Sequence, residues 1–190
     1  MKLSTICLTT VSLAALLLSC KSTSAAAAAA MEGEMAPPRP GPEHALLADE
    51  VGTWDATVTM FMPEGTQTSK GVATRKMTGG GLWLVEDFTS EMMGDTFTGH
   101  GVTGYDPQKK KYVGIWVDSM VTSVMTSEGT YDTGTRRFVS SAMMPMGNTS
   151  APVTMVTESV DADTQKFSIW MADKDGKKME TMRIDYKRRK

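Results

Sequence analysis

From Trp54 onward the chain repeats a two-residue period, and that period restricts the fold to sheet. In "WDATVTMFM", Trp54, Ala56, Val58, Met60 and Met62 share one face, while Asp55, Thr57 and Thr59 share the other. Side chains alternate along extended backbone, so this pattern predicts a half-buried strand. It recurs to the C-terminus and predicts strands over 52–62, 69–78, 82–92, 96–105, 111–120, 124–131, 136–144, 152–160, 165–171 and 178–188. The breaks carry turn chemistry: "PEG", "GGG", "MMGD", "DPQKK", "DTGT", "DADTQ" and "DKDG". Ten short strands joined by tight turns read as an antiparallel up-and-down sheet. A sheet that long curls, and closing it removes both exposed edges. The expected fold is therefore all-β, an antiparallel up-and-down barrel of about ten strands. A short helix over Pro42–Val51, ended by Gly52, precedes it.

The N-terminal residues belong to other business. "MKLSTICLTTVSLAALLLSC" has one early lysine, an apolar run and small residues before Cys20. It is too short and one-sided for a membrane span and reads as an export signal over 1–19. Leu17-Leu18-Ser19-Cys20 resembles a bacterial lipobox, which implies cleavage before Cys20 and its acylation. The expected location is the cell envelope, with the chain lipid-anchored to a membrane. In a diderm cell that is the periplasmic face of the outer membrane. The only other cysteine, Cys7, leaves with the signal, so the mature chain has no internal disulfide and no thiol nucleophile. Residues up to 42 are rich in Ala, Ser and Pro and read as a flexible tether, with a reach of about 25 Å. The barrel domain then spans 43–190. A net charge of −2 gives no global field for nucleic acid.

Three strands are apolar on both faces, notably "KYVGIWV", and need cover outside as well as inside. The helix, a plugging loop or a homodimer partner could supply it. A short helix followed by Gly52-x-Trp54 resembles the calycins, the lipocalins and fatty-acid-binding proteins. That resemblance implies a tryptophan closing one barrel end under an arginine of the last strand. If the first and last strands pair antiparallel, Met60 falls near Met182 and Trp54 near Arg188, while Arg183 lies on the opposite face. Trp54 and Arg188 are the expected barrel plug, joined as a cation–π pair. More of the chain resembles the bacterial domain of unknown function 1579. The shared features are Gly52-Thr53-Trp54, Gly79-Gly80-Gly81, the Gly99–Asp106 hairpin, Trp116-Val117-Asp118 and Ser127–Asp132. The resemblance implies a lipocalin-like, usually secreted barrel. It implies no activity and supplies no catalytic residues.

A ten-stranded barrel has more girth than side chains readily fill. Trp83, Phe88, Trp116, Met125, Phe138, Met155 and Trp170 are candidate lining residues for a small hydrophobic ligand, and equally candidates for simple core. The alternative is a filled barrel serving as an interaction or structural module of the envelope. The 17 methionines could suit Cu(I), but they are scattered and also serve as adaptable filler. Haem would need His44 or His100, the only histidines. No nucleophile elbow or zinc spacing appears, so no enzyme activity, metal or cofactor is expected.

Overall fold

The structure, a computed structural model, describes residues 37–92 and 94–190. Cys20, the export signal and most of the expected tether lie outside these residues. Helix α1 spans Pro42–Ala48. Ten strands follow: β1 Gly52–Met62, β2 Gly65–Thr78, β3 Trp83–Met92, β4 Asp95–Asp106, β5 Lys111–Asp118, β6 Met125–Asp132, β7 Arg137–Met146, β8 Thr149–Asp161, β9 Thr164–Ala172 and β10 Lys178–Arg188. Each pairs antiparallel with the next, and β1 pairs with β10, so the sheet is a closed barrel. Trp54 stands opposite Arg188 and Met60 opposite Met182. Residues 39–190 form one compact unit, and all ten strands pair within it. Such a unit carries its own core and folds by itself.

The element bounds differ from the sequence pattern where local bonds override it. Helix α1 stops at Ala48 rather than Val51. Glu50 N–H donates to Leu47 O at 3.1 Å and Val51 N–H to Ala48 O at 3.2 Å, a tighter winding that brings the chain into β1. Strands β2 and β8 start earlier than expected. Two-residue turns pair Met62 with Gly65 and Met146 with Thr149, so backbone bonds continue where the side chains are polar on both faces. Strand β5 ends at Asp118 rather than residue 120. The Asp118 carboxylate accepts the N–H groups of Met120 at 2.8 Å and Val121 at 3.2 Å, which turns the chain out of the strand.

One face of each strand builds the interior. Trp54, Ala56 and Val58 of β1 pack with Ala73, Phe88, Ile184 and Tyr186 near the helix. Ala142, Val153, Met155 and Ile169 form a second cluster. Leu47 of α1 packs on Leu84 and Tyr112, and the Tyr112 hydroxyl donates to Glu43 O at 3.1 Å. This ties the helix across one end of the barrel. The outward residues of "KYVGIWV", Val113, Ile115 and Val117, keep an apolar face that α1 does not cover, since it packs against β2, β3 and β4.

The glycines of β4 have a steric cause. The Trp116 indole lies across Gly99 and Gly101, where added Cβ atoms would come within 2.1 Å and 3.0 Å of ring carbons. Its Nε1 donates to Asp118 Oδ2 at 3.0 Å, which fixes the ring. Gly99→Ala must displace that ring and should cost about 2 kcal/mol, the usual scale for overpacking. Gly101→Ala should cost less. Urea unfolding monitored by Trp fluorescence will rank the two; equal costs would contradict the ring position.

Candidate ligand-binding cavity

The barrel is not filled. Inside it lies a cavity of about 650 Å³ with a mainly apolar lining. That volume falls within the usual range of small-molecule sites. Its two ends differ in chemistry.

The end under α1 is a plug of interlocked charges and rings. Trp54 is fully buried, and its Nε1 donates to Glu50 O at 3.0 Å. The Arg188 guanidinium lies 4.0 Å from the Trp54 ring centre. It also donates to three carbonyls, Asp49 O at 2.7 Å, Ala162 O at 3.0 Å and Val51 O, and its Nε lies 3.6 Å from the Asp163 carboxylate. Gly52 admits this arrangement. Its φ of +142° suits glycine, and a Cβ there would come within 2.8 Å of Arg188 Nη1. Farther in, Arg75 of β2 is 6% exposed. Its Nε donates to Glu86 at 2.5 Å, and its Nη1 donates to Glu50 at 2.8 Å and Gln165 at 2.7 Å. The same guanidinium lies over the Tyr186 ring at 4.6 Å and the Trp54 ring at 5.3 Å.

These contacts set the protonation states. Burial works against the Arg75 charge, but Glu86, Tyr186 and Glu50 together hold its pKa above the ordinary value. Burial raises the Glu50 carboxyl, against the opposing pull of Arg75. Tyr186 is raised by burial and by Glu86, and burial first of all pushes Tyr112 to about 12.

The opposite end is rich in methionine. Among the described residues, eight methionines line the cavity. Met60 and Met182 face each other across β1 and β10. Met92 comes from β3, Met125 from β6, Met144 and Met146 from β7, Met155 from β8, and Met120 from the β5–β6 connection. Met120 and Met146 are also 61% and 51% exposed, so the cavity opens to solvent between that connection and the β7–β8 turn.

Five of the seven lining candidates, Phe88, Trp116, Met125, Phe138 and Met155, line the cavity. Trp83 and Trp170 do not, which corrects that expectation. Trp83 lies on the outer face, 40% exposed, with its ring over Gly104, whose added Cβ would come within 2.4 Å of it. Trp170 pairs with Thr154 outside, and both indoles flank a shallow outer concavity. Neither histidine lines the cavity. His44 Nδ1 accepts the Gly41 N–H at 2.9 Å at the start of α1, and His100 pairs with Asp87 at 2.7 Å on the outer surface. Glu128 pairs outside with Lys109 and Lys111. The basic C-terminal tail is engaged with acids: Arg189 with Asp55 and Lys190 with Asp163.

Arg75, Glu50 and Glu86 are the charged groups that the sequence pattern passed over. Their signal was present. Ala73, Arg75 and Met77 share a strand face, as do Leu84, Glu86 and Phe88, so a cation and an acid each interrupt an inward apolar row.

A family model described as protein of unknown function (DUF1579) matches residues 39–188. The chain belongs to this family. The matched segment holds all ten strands of the DUF1579 barrel. Among solved structures, the S-type phycobiliprotein lyase CPES from Guillardia theta is similar in fold. It is 11% identical, the match covers 77% of this chain and 92% of that one, and the TM-score is 0.55. A redesigned β-barrel aligns with 15% identity over 80% of this chain and 100% of that one, with a TM-score of 0.41. No curated protein sequence matches the chain.

Two outcomes follow from the inner cluster. Arg75→Ala leaves two half-buried carboxylates without their cation and should destabilise the DUF1579 barrel by about 3 kcal/mol, measured by urea unfolding. For Glu50 the raised pKa means that the folded state holds the proton more tightly than the unfolded chain. Its contribution is complete below the ordinary value of 4.5 and is lost as pH rises through the folded value. Glu50→Gln should therefore flatten the fall in stability above that pH. An unchanged slope would show that Glu50 titrates as it does in the unfolded chain.

Proposed function

We propose that this barrel binds a small hydrophobic ligand, and that it does so as a lipoprotein of the cell envelope anchored through acylated Cys20. The observation that carries the binding reading is the cavity. It is about 650 Å³, apolar, capped by α1 and Trp54 at one end and open between methionines at the other. An apolar guest in such a space removes its surface from water at about 25 cal/mol per Å². Thioether side chains adjust to guests of varied shape. The charged groups of the lining are engaged with one another or with backbone, which favours holding a guest over transforming it. The envelope reading is supported by the apolar leader and by Leu17-Leu18-Ser19-Cys20 at its end.

Nile red, an uncharged fluorescent dye, tests the cavity directly. Residues 39–190 should bind it saturably, and Met155→Trp, which adds ring volume to the cavity wall, should weaken binding at least about ten-fold (about 1.4 kcal/mol) without loss of fold by circular dichroism. Undiminished binding by Met155→Trp would move the dye outside the barrel. Organic extraction of freshly purified protein, followed by mass spectrometry, should release the native guest. Labelling of cells with palmitate should mark the chain, and Cys20→Ala should abolish the label; label retained in Cys20→Ala would remove the proposed anchor.

A further inference from the structure

The cavity has an uneven set of charges. Its lining contains three carboxylates, Glu50, Glu86 and Asp118, and one cation, Arg75, with no lysine or histidine among the lining residues described. Arg75 is not available to an anionic guest, because its donors already meet Glu86, Glu50 and Gln165 and its faces meet Tyr186 and Trp54. The second guanidinium at that end, Arg188, is taken up by three backbone carbonyls and the Asp163 carboxylate and does not line the cavity. Asp118, toward the mouth, accepts from the Trp116 indole and from two backbone N–H groups, with no cation beside it. The side chains of Glu50 and Glu86 each stay 20% exposed, and both line the cavity at its inner end.

From this set we infer that the cavity selects by charge: it takes uncharged or amine-ended amphiphiles and rejects alkyl carboxylates, with Glu50 and Glu86 at the inner end making the distinction. The inference rests on the reading of the cavity as a ligand site. A carboxylate brought into this space loses its hydration, finds no free cation and meets two acids instead. An alcohol needs only one acceptor, and the exposed oxygens of Glu50 and Glu86 provide it. An ammonium gains charge-assisted hydrogen bonds to the same oxygens.

Three probes with the same alkyl chain, decanol, decylamine and decanoate, separate the cases when each displaces Nile red from residues 39–190 at neutral pH. Decanol and decylamine should compete, with decylamine at least as tight as decanol, and decanoate should be at least about ten-fold weaker than decanol. Glu50→Gln should narrow the gap between amine and carboxylate, whereas Asp118→Asn should leave it nearly unchanged. Retained Nile red affinity shows that each variant is folded, and the unmodified protein decides the order of the probes by itself. Decanoate binding as tightly as decanol while Nile red binds normally overturns the charge selection alone. A gap that closes in Asp118→Asn but not in Glu50→Gln overturns its assignment to the inner end. If neither Nile red nor any probe binds, the cavity is no ligand site and both readings fall.

Discussion

An up-and-down sheet of ten strands has two edges, and pairing β1 with β10 satisfies both at once. Everything else in the barrel depends on the register of that seam. Because Met60 faces Met182, Trp54 must face Arg188, and the guanidinium reaches the indole from the neighbouring strand. A slip of one residue would turn Arg188 outward and every inward residue of β10 with it. The seam is held by more than backbone bonds. Arg188 joins β10 to the carbonyls that follow α1 and to the β8–β9 turn, and Arg189 reaches Asp55 beyond it. The closing pair therefore also fastens the helix and fixes which end of the barrel is shut.

That shut end is built on a polar cluster rather than an oily one. Arg75 with Glu50, Glu86 and Gln165 is costly to bury, since ion pairs recover their desolvation only when the remaining groups are satisfied. Here they are: three acceptors receive the guanidinium, and two aromatic faces take what remains. The cluster draws its members from β2, β3, β9 and the link after α1. Charges with so few alternative partners penalise misregistered closure more sharply than interchangeable apolar contacts would. The specificity of the closed sheet is thus tied to the same residues that give the cavity its inner chemistry.

The strands and their closing register were legible in the sequence because alternation and turn chemistry are local signals. Which face turns inward was legible only where one face is polar. In β1 the row Asp55, Thr57, Thr59 leaves no choice. In β3 the choice misleads: Trp83 and Val85 look like an interior row, yet Leu84, Glu86 and Phe88 face inward. Glu86 is tolerated inside because Arg75 waits on the neighbouring strand, and Trp83 is tolerated outside because Gly104 leaves its ring a seat. Both reasons are contacts across strands, which no single segment reveals. Trp170 follows the same rule, with Ile169 taking the interior beside it. The methionines were visible as a surplus, but their gathering toward one mouth depends on the direction of each strand and emerges only when all ten are set side by side.

The distribution of those methionines also bears on what the mouth does. A soft-metal site would bring two or three thioethers to one point. Here they come from six strands and one connection of the wall, and the thioether chain is adaptable in packing. On the reading proposed above, such a wall would adapt to the body of a guest without recognising it. The inner end is the opposite: its rings and charges are locked, and its two carboxylates have fixed positions. A guest entering past the methionines would meet shape tolerance first and charge discrimination last. On the reading proposed above, broad acceptance of apolar bodies and narrow acceptance of head groups would then coexist in one barrel, because the two demands fall on its opposite ends.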